Sequence, residues 1–233
     1  MTDELRWVDP DHIEAPRYLL DTYWWAYVHP AAVRFFERQW LVNSILWGNF
    51  RRLRDAALEA LGPEFDGRTL QIACVYGHLT ERLCRRIPVG ATLDVVDVLP
   101  VQLENLKRKL PADTKVNFRL GNSASLGVES ASYDRVLLFF LLHEQPEEVR
   151  RQTLAEAVRV AKPGGKIVIL DYHRPSVLHP LRLILAPLLA RLEPYALDLW
   201  RDELTEWMPP HTRHGVCKTT YFGELYQRTV LQL

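Results

Sequence analysis

The chain is poor in the features that usually announce a function. Its three cysteines, Cys74, Cys84 and Cys217, are an odd number with no paired spacing. That speaks against a disulfide framework or a cysteine-based zinc site and favours a reducing compartment. Neither charge is in excess, since lysine plus arginine and aspartate plus glutamate both come to 29. No general attraction to nucleic acid is implied. No uncharged apolar stretch reaches the ~18–20 residues needed to span a bilayer. The N-terminus, Met1-Thr-Asp-Glu-Leu-Arg6, has early acids and no apolar core, so it does not read as a secretory signal. Internal repeats and low-complexity tracts are missing as well. What remains is a 233-residue chain, long enough for one α/β domain with a good core and a lid.

The most informative shortage is of glycine at one place, the stretch Thr69-Leu-Gln-Ile-Ala-Cys-Val-Tyr-Gly-His-Leu-Thr80. The apolar run Leu70 to Cys74 reads as a buried strand. His78 to Ile87 reads as a helix, with Leu79, Leu83 and Ile87 spaced four apart. Between such a strand and helix a nucleotide-binding turn normally carries several glycines, which let the backbone pass close to the ligand at the helix N-terminus. Only Gly77 remains here. Ala73, Val75 and Tyr76 fill positions where small residues are expected, which predicts the usual type of ligand in an unusual pose.

The rest of the chain supports a nucleotide-binding sheet. Strand candidates at residues 91–97, 115–121, 133–142 and 166–171 alternate with helical stretches that begin at Pro100 and Pro146. This alternation predicts a parallel, doubly wound sheet. Lys162-Pro-Gly-Gly165 reads as a sharp turn into the fifth strand, and residues 217–233 read as two closing strands around Phe222-Gly223-Glu224. Ligands of such sheets sit at the carboxyl ends of the strands, where Asp97, Asn122, His143, Glu144 and Asp171 fall.

Two further segments flank this sheet. Residues 1–62 read as a helical cap ending at Gly62-Pro63, with Val33, Phe36, Trp40, Leu46, Phe50, Leu53 and Ala57 at helical spacing. Tyr18, Tyr23, Trp24, Trp25 and Tyr27 add an aromatic cluster. The cap is either a layer packed on the core or a lid over an apolar pocket. Residues 63–233 form the ligand-binding domain, interrupted by a helical insertion over 176–212. Its leucines from Leu178 to Leu192 are broken by Pro180 and Pro187 and interleaved with Arg182 and Arg191. They make either another core helix pair or an interfacial helix walling a long apolar pocket.

The order of strand, glycine turn, helix, strand ending in Asp97, and Lys162-Pro-Gly-Gly165 resembles the class I S-adenosylmethionine-dependent methyltransferases. It implies a Rossmann-like doubly wound sheet. The altered turn Ala73-Cys-Val-Tyr-Gly77, with Tyr27-Val-His-Pro30 and Leu46-Trp-Gly-Asn49, is similar to the methyltransferase-like RquA family. That family makes rhodoquinone from ubiquinone. The resemblance implies that S-adenosylmethionine donates its amino group, that manganese(II) assists, and that an amino group replaces a ring methoxy group. It also implies a cytoplasmic protein held peripherally on the inner membrane face, where the long-chain quinone resides.

The resemblance assigns the site residue by residue. Asp97 accepts from the two ribose hydroxyls, with Val98 beside it. Asn122 and Ser123 face the adenine. Gln71, Ala73, Cys74, Tyr76 and Gly77 border the cofactor's amino-acid end. Gln71 replaces an acid that would keep the cofactor's amine protonated, which suits an amine that must attack carbon; drift in a degenerate site is the other reading. Tyr76 either contacts the displaced methionine moiety or packs in the core. His78 is as suited to the surface as to catalysis. His143, Glu144 and Asp171 are the manganese candidates, with Tyr76, His143 and Glu144 as catalytic groups; His143 and Glu144 could equally cap or pack a helix. An ordinary quinone or lipid methyltransferase and a catalytically dead binding protein are the competing functions.

Overall fold

The fold was analysed in a computed structural model, which describes residues 15–23, 26, 29–63 and 65–233. Trp7, Trp24, Trp25, Tyr27 and Val28 of the expected N-terminal aromatic segment lie outside them. Among the described residues one seven-stranded sheet organises the chain, in the order β3-β2-β1-β4-β5-β7-β6. The strands are β1 (Arg68–Ile72), β2 (Thr92–Asp97), β3 (Val116–Leu120), β4 (Tyr133–Phe139), β5 (Ala161–Tyr172), β6 (Val216–Tyr221) and β7 (Tyr226–Gln232). The first five are parallel, and β7 runs antiparallel to both β5 and β6. Leu70, Ile72, Val136, Leu137, Leu138, Val168 and Ile169 are buried, as expected of central parallel strands covered on both faces.

Lys162-Pro-Gly-Gly165 is not a free turn before β5 but a bulge inside it. The pairing of β4 with β5 jumps from Tyr133↔Ala161 to Arg135↔Lys166. Gly164 takes φ +78, and a Cβ on Gly165 would lie 2.8 Å from the Lys162 carbonyl oxygen. The expected sharp bend is real, but the ladder resumes past it.

Helices α1 (Arg17–Tyr23), α2 (Pro30–Phe36), α3 (Gln39–Ile45) and α4 (Phe50–Leu61) precede the sheet. α4 packs on β4, β5 and β7, and its Phe50, Leu53, Ala57, Leu58 and Leu61 join the sheet's hydrophobic core. The boundary expected at Gly62 is thus where α4 ends, not where the core begins. Trp40 departs from the inward face expected of it, being 60% exposed, because the helical spacing is interrupted between α2 and α3. Helices α5 (Leu79–Cys84), α6 (Pro100–Lys109) and α7 (Glu147–Val160) connect the strands. The insertion carries α8 (Arg182–Leu192), α9 (Asp198–Arg201) and α10 (Leu204–Trp207).

Arg150 of α7 ties the insertion to the sheet. It is fully buried. Its guanidinium donates to the carbonyls of Leu142, Gln145 and Tyr195, pairs with Asp198 at 3.4 Å, and lies over the Trp207 ring. Removing one partner of a buried charge network is costly because the other groups stay desolvated and unanswered. Arg150→Met is expected to lower unfolding free energy by about 3–5 kcal/mol in urea denaturation and to open residues 193–207 to proteolysis. An unchanged midpoint would remove Arg150 as the anchor.

Candidate functional site

Two cavities lie at the carboxyl ends of the parallel strands. The first is lined by the exits of β1 (Ile72, Ala73, Cys74), β2 (Asp97, Val98, Leu99), β3 (Gly121, Asn122, Ser123) and β4 (Phe140, Leu141), closed by Tyr18 and Leu19 of α1. The second, about 260 Å³, lies under the helical cap against Tyr23, Phe36, Ile45, Leu46, Phe50, Tyr76 and Phe139. That volume is large against the ~10–15 Å³ that holds one water, and the walls are mostly apolar. Cys74, Gln102, Phe140 and Glu144 line both cavities. The N-terminal helices thus pack on the core through α4 and also roof an apolar pocket.

Backbone strain marks the same place. Ala73 and Phe140, at the exits of β1 and β4, have φ of +72 and +52. A side chain in this region costs of order 1–3 kcal/mol and tends to persist at functional sites. Phe140 is held there by edge-on contacts with Phe139, His143, Tyr172 and Tyr226.

Asp97 is buried at the end of β2, on the wall of the first cavity. Its oxygens accept from the amides of Cys74 at 2.7 Å and Leu99 at 2.9 Å. Burial raises its pKa to about 6 against the opposing pull of those amides. Val98, Asn122 and Ser123 line the cavity beside it. Asn122 Oδ1 accepts from the Ala124 amide, and Ser123 Oγ accepts from Gln145. Gln145, which sequence reasoning missed, also lines this cavity, and its Oε1 is a buried acceptor with no hydrogen-bond partner among the described residues. Burial pushes the Cys74 thiol well above the ordinary range, so it stays a neutral wall.

The turn after β1 is arranged differently from the expectation. Gln71 is fully buried, donates to the Ala73 carbonyl and accepts from Thr80. It braces the turn from inside and lines neither cavity. Gly77 lines neither cavity as well. Its amide donates to Glu37 Oε1 at 2.9 Å. Lys109 Nζ pairs with the same oxygen at 2.7 Å and donates to the Gly77 carbonyl, while Asn105 donates to the other Glu37 oxygen. A carboxylate from the cap thus occupies the amide and the ammonium group that this turn offers to an anion. A Cβ on Gly77 would meet the Phe50 ring at 2.8 Å, so the glycine is needed for close packing of the cap. Tyr76 faces the apolar cavity, stacked near Phe36, and its hydroxyl donates to the Ala26 carbonyl and accepts from Gln102.

His143 borders the apolar cavity. Its Nδ1 donates to Asp171 at 2.9 Å. Its Nε2 lies 3.7 Å from Glu144 and 3.4 Å from Glu193. Burial opposes the charge on this ring, but Asp171, Glu193 and Glu144 outweigh it and raise the pKa to about 10. His143 is therefore an imidazolium at neutral pH. Glu193, at the end of α8, was not singled out from the sequence. Burial raises its pKa, and its Oε2 is the oxygen that pairs with His143 Nε2.

The manganese assignment does not fit this arrangement. Asp171 accepts from the amides of Leu141, Leu142 and Tyr172 as well as from His143, which leaves no side of the carboxylate turned to an ion. Among the described residues no group of three His, Cys, Asp or Glu side chains is placed to hold a metal. His78 pairs with Glu81 on the half-exposed start of α5, away from both cavities. His173 donates to the Glu224 carbonyl.

Comparison with known proteins gives a consistent picture. Residues 69–165 match the family model described as a methyltransferase domain. A demethylmenaquinone methyltransferase of Renibacterium salmoninarum is 31% identical over 155 residues, covering 66% of this chain and 62% of that protein. Another from Clavibacter sepedonicus is 32% identical over 130 residues, covering 56% and 51%. The ubiquinone/menaquinone biosynthesis C-methyltransferase UbiE of Cereibacter sphaeroides is 26% identical over 149 residues, covering 62% and 58%. The chain thus spans about half to three fifths of the length of these relatives. Among solved structures, the pyocyanin biosynthetic protein PhzM has a TM-score of 0.60 at 16% identity, over 90% of this chain and 61% of that one. The N-methyltransferase NodS from Bradyrhizobium japonicum, bound to S-adenosylhomocysteine, has a TM-score of 0.54 at 13% identity, over 78% and 86%. The fold is that of the Rossmann-like class I S-adenosylmethionine methyltransferases.

Glu37 and Lys109 are expected to act as one unit. Glu37→Ala and Lys109→Met should each destabilise the protein. The double variant should cost less than their sum by about 0.5–3 kcal/mol, the coupling typical of contacting groups. Additive losses in urea denaturation would contradict the clamp.

Proposed function

We propose that the chain is an S-adenosylmethionine-dependent transferase acting on a quinone. The observation that carries this reading is the wall shared by the two cavities. One side offers a buried carboxylate, Asp97, suited to ribose hydroxyls, and polar groups at Asn122, Ser123 and Gln145 suited to a base. The other side is apolar and ends on an imidazolium. A flat ring with carbonyl oxygens matches that second side, and the similarity to quinone-modifying methyltransferases points the same way. His143 Nε2 can donate to a quinone oxygen and stabilise negative charge developing there, an effect that is strong where water is excluded. Asp171 holds the ring orientation, and Glu193 and Glu144 keep it charged.

Within this class we favour amine donation, as the resemblance to the rhodoquinone-forming family implies. The support is that Glu37 already answers the Gly77 amide and Lys109, so the turn does not offer them to the cofactor's carboxylate. The free amine would attack the methoxy-bearing ring carbon as a nucleophile. A carbon–nitrogen bond forms, the carbon–oxygen bond breaks, and methoxide leaves as methanol with the proton lost from nitrogen. The amino group would be released by elimination: the neighbouring carbon of the methionine fragment loses a proton, a carbon–carbon double bond forms there, and the nitrogen leaves with its electron pair and takes up a proton. Methyl transfer to a demethylated quinone is the second reading, favoured by the names of the relatives.

Two experiments test these statements. An ionised carboxylate accepts from hydroxyls more strongly than a protonated one, so affinity for S-adenosylhomocysteine should fall as the pH drops through about 6, where Asp97 takes up a proton. Asp97→Asn should weaken binding by about 1–3 kcal/mol in calorimetry and flatten that pH profile. Unchanged affinity would remove Asp97 from the site. For the chemistry, S-adenosylmethionine labelled with nitrogen-15 in its amino group and carbon-13 in its methyl group is supplied with a short-chain ubiquinone. A product carrying nitrogen-15 and no new carbon-13 is expected. A carbon-13 methyl group on the product makes the protein an ordinary methyltransferase.

A further inference from the structure

The insertion carries an apolar face that the fold does not use. α8 buries only Leu185 and Leu189 against the core. Ahead of it and along it, Val177, Leu178 and Leu183 are 83%, 93% and 86% exposed, and Ile184, Leu188 and Leu192 are exposed as well. Single exposed leucines are ordinary, but a continuous set on one short segment marks an interaction surface.

Charge narrows the partner. Residues 174–192 contain Arg174, Arg182 and Arg191 and no aspartate or glutamate, although the whole chain is neutral. Arg174 and Arg191 are exposed beside the leucines. Aliphatic side chains interleaved with arginine, without acids, are the chemistry of a segment lying in the headgroup region of an anionic bilayer. A protein partner would not require this one-sided charge. No helix among the described residues is long and apolar enough to cross a membrane, so the contact would be superficial.

The face also continues into the candidate site. Ile184, Leu188 and Leu192 repeat every fourth residue along α8, the spacing of one helical stripe. Leu192 is at once exposed and part of the apolar cavity wall. Ile45 of α3 is exposed and lines the same cavity. The cavity therefore opens between α3 and α8, at the end of the leucine stripe.

We propose that Val177–Leu192 docks the protein on an anionic phospholipid surface and brings the mouth between Ile45 and Leu192 against the acyl chains. An apolar-tailed substrate can then pass from bilayer to cavity without its tail crossing water. The route, though not the docking, rests on the quinone reading above.

The test is flotation of the intact protein with vesicles of phosphatidylcholine alone and of phosphatidylcholine with phosphatidylglycerol. The protein is expected to float with the anionic vesicles and to be released by high salt. Leu178→Glu combined with Leu183→Glu should lower the bound fraction at least tenfold while leaving thermal unfolding unchanged, since both side chains are exposed. Arg191→Gln should lower it less and weaken its dependence on phosphatidylglycerol. Equal flotation of the double variant, or equal binding to neutral and anionic vesicles, overturns the proposal. So does a dimer in sedimentation that the double variant abolishes while vesicles capture nothing. Turnover separates docking from chemistry. The double variant should keep full activity on a short-chain quinone in solution and lose it on a long-chain quinone in vesicles. A protein that floats but modifies neither quinone leaves the docking intact and removes the quinone reading.

Discussion

The arrangement depends on one carboxylate. Glu37 reaches from the helical cap to the turn after β1 and accepts from the Gly77 amide, Lys109 and Asn105. An amide near a helix start and a nearby ammonium group form a natural anion site. In this chain the anion is built in. The same contact fastens the cap over the sheet, fixes the turn, and leaves Tyr76 facing the apolar cavity. Charge-assisted hydrogen bonds to partly buried groups are among the stronger polar contacts, so a single side chain couples the lid to the binding end of the sheet.

A second buried carboxylate organises the other half. Asp171 satisfies two backbone amides at the exit of β4 and one at the end of β5, and it orients His143. This explains how a histidine can remain charged beside an apolar cavity: burial disfavours the charge, and neighbouring carboxylates more than restore it. Arg150 then links the same exit to the insertion through Leu142, Tyr195 and Asp198.

Much of this was legible in the sequence. The strands around Leu70, Val95, Leu137 and Val168 follow from apolar runs of strand length, and Asp97 and Asn122 follow from their positions at strand ends. The lysine-proline-glycine-glycine stretch could be placed, although its role as a bulge depends on pairing with Tyr133 and Arg135. What could not be read were contacts between distant residues. Glu37 and Gly77 are forty positions apart, and nothing in local periodicity links them. The inward turn of Gln71 depends on Thr80 and the bend at Ala73. The saturation of Asp171 depends on amides from a different strand exit, which is why it looked available as a ligand. Glu193 ends a helix that reads simply as leucine-rich, and only the folded insertion brings it to His143.

The central claim is that the protein's own carboxylate holds the turn and leaves the adenosine end of the site open. The direct measurement is a crystal structure of the complex with S-adenosylhomocysteine and a short-chain quinone. The account predicts ribose hydroxyls on Asp97, the quinone ring in the apolar cavity with an oxygen on His143 Nε2, and the Gly77 amide still donating to Glu37. A complex in which Glu37 has left the turn and the cofactor's carboxylate takes the Gly77 amide would contradict it.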